Sequence, residues 1–230
     1  MLEQRSEVWF AIRAGKVTAS RIADMLATTK SGWGASRKNY HAQLVTERLT
    51  GTVEPSFCSP AMQHGIDFEA SAREAYHQHM LCTVEEIGFV DHPTIAMSGA
   101  SPDGLIGDDG LVEIKCPNSA AHIESLLGGT IPDKYRQQML WQMACTGRVY
   151  CDFVSFDPRL PENMRLFVQR VPRDDAAIAA LEKEVAAFLR EVDETVDMLR
   201  ARFGSDLRQQ LSESATSAFM RRRAPMARST

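Results

Sequence analysis

The chain has 230 residues, 44% of them hydrophobic and 24% charged, enough to bury one sizeable core and ordinary for a globular domain. No apolar run approaches the roughly 20 residues of a membrane helix, and the opening "MLEQRSEVWF" lacks the basic-then-apolar layout of a secretory signal, so a cytoplasmic protein without a membrane span is expected. The formal charge of −4 argues against a nucleic-acid partner only until its distribution is read: residues 1–48 hold eight bases against four acids, 174–197 two against eight, and 198–230 seven against two.

"SEVWFAIRAG" predicts a short helix ending at Gly15, and "VTASRIADMLA" a second helix with Thr18 and Ser20 placed to cap its start. A Gly- and Ser-rich loop, "TTKSGWGAS", leads to a helix over about 37–50 that stops at Gly51. After the loop "TVEPSFCSP", the stretch "AMQHGIDFEASAREAYHQHM" reads as a longer helix with Glu69, Arg73 and Tyr76 toward one side. His77 and His79, two apart on it, point different ways and are expected in solvent rather than on a metal. The period then shortens. "TVEEIGFVD", "TIAMS", "GLIG" and "LVEIK" are brief, turn-bounded and rich in Val and Ile, which predicts a β meander.

Helical pattern returns at about 119–127 and at "PDKYRQQMLWQMACTG", where Pro132 suits a first turn and Gly147 a terminator. Two strands, "RVYCDFVSF" and "MRLFVQRV", follow around a proline-containing loop. Residues 174–202 predict a long helix with one apolar stripe through Ile178, Leu181, Val185, Phe188, Val192, Val196 and Leu199. A coiled coil would use such a stripe, but so few heptads favour a helix lying on its own domain. The division expected is one domain over 1–203 and a polar, basic, mobile tail over 204–230. The five cysteines form an odd set without a Cys-x-x-Cys pair, which fits neither a disulfide framework nor a metal clamp, so buried thiols are expected.

The chemistry concentrates in "SPDGLIGDDGLVEIK". Alternation through Val112-Glu113-Ile114-Lys115 puts Glu113 and Lys115 on one face of a strand, with Asp103 ten residues before Glu113. Two carboxylates and a lysine make a compact site for Mg²⁺, which takes one or two carboxylates and keeps water or phosphate oxygens elsewhere, and the reaction suggested is phosphodiester hydrolysis. The plainer alternative is a turn followed by an exposed ion pair of little energetic worth. Of the six lysines, only Lys115 has an acid two residues before it.

These residues resemble the motif of the PD-(D/E)xK nucleases, and specifically that of the lambda-exonuclease-like viral recombinase exonucleases. Further pieces are similar in the same order: "VWFAIRAGKVTASRIADML", "HGIDFEASAREAY", "LLGGTIPDKYRQQMLWQM" and "FVSFDPR", spanning about Trp9 to Arg159. The resemblance implies an α/β fold with a restriction-endonuclease-like core, a mixed twisted sheet flanked by helices and the long C-terminal helix outside.

For the site, the resemblance implies that Asp103, Glu113 and the Ile114 backbone carbonyl ligate Mg²⁺, that Lys115 is the catalytic lysine, and that Glu69 ligates a second Mg²⁺ directly or through water. Mn²⁺ is a possible substitute. It also implies that Arg13, Ser20, Ser101 and Gln138 hold a 5′ phosphate. A lone helical Glu is ordinarily a solvated charge, Arg13 would otherwise be a surface charge and Ser20 a helix cap. Two positions depart from the family pattern: His64-Gly65 stands where Trp-Gly is usual, and Lys30 where an arginine is. The resemblance also places Met62 where the family has an apolar residue that wedges strands apart, with core packing as the alternative. Lys30 takes the loop position of the family's arginine. Both are candidates for strand separation, even though the departures weaken that part of the match.

The activity implied is Mg²⁺-dependent, processive 5′-to-3′ degradation of linear double-stranded DNA, releasing 5′ mononucleotides and leaving a 3′ single strand. A homotrimeric ring, a phage-type single-strand annealing partner and the cytoplasm of a bacterial host of a phage or prophage come with it. The rivals are a PD-(D/E)xK endonuclease and an inactive DNA-end-binding module.

Overall fold

The computed structural model describes residues 4–53 and 58–222, with side chains as far as 204. Helix α1 (Glu7–Arg13) starts where the Ser6 hydroxyl accepts from the Trp9 N–H, and Ser59 does the same for α4 (Pro60–Met80) by accepting from Met62. Helix α3 (Ala35–Thr50) stops at Gly51 and α6 (Asp133–Thr146) at Gly147, both with φ near +70°, a conformation that costs a residue without Cβ little. Pro132 precedes α6 as its cap rather than entering the first turn.

The second predicted helix is instead a two-residue strand β1 (Val17–Thr18), a 3₁₀ turn over Ala19–Arg21 and a short α2 (Ile22–Met25). The Thr18 hydroxyl makes no cap, because its residue is spent pairing with a strand far along the chain. The Gly- and Ser-rich loop holds a small hairpin, β2 (Thr28–Thr29) and β3 (Gly32–Trp33).

The expected meander divides between two sheets. Strands β5 (Val90–Asp91) and β6 (Ser98–Ala100) join β1 in a three-stranded sheet ordered β1-β6-β5, with β1 and β6 parallel. Strands β4 (Val84–Glu85), β7 (Gly104–Ile106) and β8 (Gly110–Lys115) join β9 (Tyr150–Phe156) and β10 (Leu166–Pro172) in the main sheet, ordered β10-β9-β8-β7-β4. Only β8 and β9 are parallel within it, and the crossover between them carries α5 (Ser119–Gly128) and α6. It is the mixed sheet that the resemblance implies.

Alternation along β8 feeds two cores. Leu111 packs with Trp141, Tyr40, Phe153 and Phe188 under α3, α6 and α7 (Asp175–Arg222), while Val112 and Ile114 face Ala72 and Tyr76 of α4. Every stripe residue of α7 from Ile178 to Val196 is buried and Leu199 packs beside them, so the helix lies on its own domain. Each such burial contributes about 1.5–3 kcal/mol. Arg37 ties α3 to α7 by a two-pronged hydrogen bond to Glu191 at 2.7 and 2.9 Å. Residues 223–230 of the expected tail lie outside the described residues.

No disulfide links the cysteines: Cys116, Cys145 and Cys151 are buried as expected, Cys82 is half-buried, and Cys58 is exposed. Among the described residues, no helix is long and apolar enough to cross a membrane.

Candidate active site

The β7–β8 hairpin brings Asp103 beside the strand that carries the other motif residues, where its Oδ2 accepts from the Ile114 N–H at 2.7 Å. Glu113 is fully buried on the face covered by α6. Its Oε1 accepts from Gln138 at 2.6 Å, its Oε2 from Gln142 at 2.5 Å, and Lys115 Nζ pairs with Oε1. The Tyr135 ring lies 5.1 Å from that ammonium. Burial, and then the charge of Glu113, push the Asp103 carboxyl well above the usual range, with Lys115 pulling the other way. Burial alone would lower Lys115, but Glu113 and Asp103 outweigh it and hold the ammonium above the ordinary lysine range.

Glu69 adds to the negative field at Asp103, yet both its oxygens are taken: Arg73 donates to Oε1 at 2.9 Å and Arg5 to Oε2 at 2.7 Å. Among the described residues, no three His, Cys, Asp or Glu side chains gather closely enough to hold a metal ion. The oxygens of Asp103 and Glu113 nonetheless form a hard donor set that suits Mg²⁺, and the repulsion between them is what a cation would relieve. A second cation at Glu69 would have to displace an arginine.

Linked to this cluster through Arg5, which contacts Glu69, is a cavity of about 450 Å³ lined by Arg5, Arg13, Lys16, Ser20 and Met62 among others. Arg13 is half-buried with its guanidinium 3.6 Å from the centre of the Trp9 ring, and among the described residues it has no ion pair or side-chain hydrogen bond. Burial, opposed by Tyr40 and Glu47, lowers its pKa to about 10. Ser20 is exposed on the cavity wall, Met62 is 52% exposed at its rim, and Ser101 accepts from Trp9 Nε1 at 3.0 Å. Gln138 belongs to the Glu113 cluster rather than to the cavity lining, and Lys30 is exposed at the tip of the β2–β3 hairpin, away from that lining.

Sequence reasoning missed Gln142, Tyr135 and Arg5. Gln142 stands four residues after Gln138, one helical turn, so a search for amides repeating along that face would have found it.

Residues 8–149 match the YqaJ-like viral recombinase domain. The chain belongs to that family. In two crystal structures the alkaline exonuclease LHK-Exo of Laribacter hongkongensis, one of them in complex with dAMP, is 52% identical, with a TM-score of 0.82 over 87% of this chain and 99% of that one. A phage-related exonuclease from Haemophilus somnus 129PT, 15% identical, shares the fold with a TM-score of 0.61 over 80% of this chain and 96% of that one. No curated protein matches. The fold is that of the PD-(D/E)xK class, and the YqaJ-like family together with the 52% identity to LHK-Exo supports a nuclease role.

Proposed function

We propose that the protein is a divalent-metal-dependent, processive 5′-to-3′ exonuclease on linear double-stranded DNA. It releases 5′ mononucleotides and leaves a 3′ single strand for a phage-type annealing protein. The observation that carries this reading is Arg13: a half-buried guanidinium without a carboxylate partner among the described residues lines a cavity that Arg5 links to Glu69. Such a fork of donors suits a terminal phosphate, with Ser20 and Ser101 adding neutral groups. The similarity to LHK-Exo, which binds dAMP, supports a nucleotide end as the ligand.

Asp103, Glu113 and the Ile114 carbonyl would hold one Mg²⁺ and Glu69 a second, with Mn²⁺ as a substitute. The cation supplies Lewis-acid polarisation of the phosphodiester. Gln138 and Gln142 fix the Glu113 carboxylate in one orientation, so that it needs no reorganisation during the reaction. Lys115, held as an ammonium, orients the attacking water and donates toward the charge that builds on the phosphate oxygens. A ring of three subunits would thread the duplex through its centre and account for processivity. The acidic stretch 174–197, which already pairs Arg37 and Arg48, then lies outside, and exposed bases of the 1–48 segment such as Lys30 and Lys38 lie inside.

Digestion of a linear duplex with and without a 5′ phosphate, beside a closed circle, in Mg²⁺ and in chelator, tests this. Linear DNA alone is shortened, only with metal and fastest when phosphorylated. Cutting of the circle at the same rate would make the enzyme an endonuclease. Arg13→Ala removes the preference for the phosphorylated end, a loss of roughly tenfold or more for a charge-assisted bond. Gln142→Leu, which strips Glu113 Oε2 of its donor, lowers Mn²⁺ affinity and rate by roughly 10- to 100-fold. Calorimetric titration with Mn²⁺ checks it, and unchanged affinity would reduce Gln142 to packing.

A further inference from the structure

Glu69 is held from two sides, and the two arginines that hold it are not equivalent. Arg73, 18% exposed, sits one turn along the same helix and is anchored again by Glu86 at 2.9 Å. Arg5 is 46% exposed, comes from the segment before α1, and touches Glu69 through one 2.7 Å contact. That segment is pinned close to the motif: the Gln4 amide donates to the carbonyls of Ile87 and Pro102 at 2.9 Å each, and Pro102 directly precedes Asp103. Arg5 itself adopts φ +68°, a left-handed conformation that an arginine occupies at a cost. The backbone is thus constrained so that the side chain spans Glu69 and the cavity that Arg13 lines.

We propose that Arg5 is a further phosphate-binding residue of the strand-end pocket, kept on Glu69 until a divalent cation takes that carboxylate and then turned into the cavity beside Arg13. The inference rests on the reading of that cavity as the seat of a 5′ phosphate. Cation and guanidinium compete for Glu69 Oε2, while Arg73 keeps Oε1 in place, so the carboxylate stays positioned when Arg5 leaves. The freed guanidinium is within the lining of a pocket where Arg13 makes no carboxylate contact among the described residues, while Arg21 is paired with Asp24 and Glu47 already accepts from Gly15 and Gln43, so an incoming phosphate suits the two guanidiniums. Metal loading at Glu69 and capture of a phosphorylated end therefore reinforce one another.

The test uses the full chain and its Arg5→Ala, Arg5→Lys and Arg5→Ala/Glu69→Gln variants. Calorimetry with Mn²⁺ alone reads the latch, and binding of 5′-phosphorylated and 5′-hydroxyl duplexes in Ca²⁺ reads the pocket. Arg5→Ala binds Mn²⁺ several-fold more tightly, a gain that disappears when Glu69→Gln is added, and it loses roughly tenfold in preference for the phosphorylated end. Arg5→Lys, which keeps the charge but not the fork, retains part of that preference. Full phosphate preference in Arg5→Ala would overturn the pocket role, and unchanged Mn²⁺ affinity would overturn the latch. A wild-type chain that binds both ends equally, with Arg13→Ala no different, would instead remove the phosphate reading of the cavity and this inference with it.

Discussion

Replacing Lys115 by alanine is expected to slow degradation of linear duplex by a factor on the order of a thousand, with DNA binding in Ca²⁺ retained. The side chain packs against Glu113 and over Tyr135, and the two carboxylates keep it charged despite burial. A group held this firmly in one protonation state is better suited to orienting water and stabilising charge than to taking a proton. Lys115→Arg keeps the charge but brings a planar fork where a compact ammonium fits, so its rate falls as well. Single-turnover cleavage under saturating enzyme separates this from weaker binding. Activity near wild type in the alanine variant would make the pair on β8 a mere ion pair, and a wild type that binds ends without cutting would make the chain a recruitment module.

Asp103→Asn removes one of the two carboxylates while preserving an oxygen to accept the Ile114 N–H. Its effect on Mn²⁺ affinity and cleavage exceeds the roughly 10- to 100-fold cost of losing a supporting partner. Stability moves the other way. The Asp103 carboxyl has its pKa raised in the folded chain, by burial first and Glu113 second, so the folded state binds that proton more tightly than the unfolded one. The metal-free fold consequently loses stability as pH climbs from the ordinary carboxylate range through the raised value. Thermal denaturation in chelator shows a midpoint that falls over that rise for wild type and less so for Asp103→Asn. Mg²⁺ restores the wild-type midpoint at the alkaline end and leaves the variant unmoved. A variant that still gains stability from Mg²⁺ would place the cation elsewhere.

The strand that bears Glu113 and Lys115 was legible because period-two alternation is strong over Val112 to Lys115 and because the Gly-rich turn before it forces a hairpin. The stripe of α7 was legible for the matching reason, a long 3.6-residue repeat, and the caps at Ser59, Gly51 and Gly147 mark helix ends locally. The splitting of the meander was not. Strands of two or three residues carry no alternation, and whether Val90 pairs in one sheet or another depends on Val17 and Thr18, which arrive from the other end of the domain. The candidate site divides in the same way. Gln142 repeats Gln138 by one helical turn, whereas Arg5 meets Glu69 only through the tertiary fold, and nothing around it in the chain announces that contact.

The pairing of β8 also has a kinetic meaning. On one side Gly110 faces Ile106 across a tight turn, and on the other it faces Tyr150 across the whole helical crossover. The first contact needs closure of a loop of a few residues, the second of one about ten times longer, so hairpin formation on the microsecond scale precedes docking of β9. Asp103 and Glu113 are thus neighbours early in folding, while the amides of α6 that fix Glu113 reach it only once the crossover has closed.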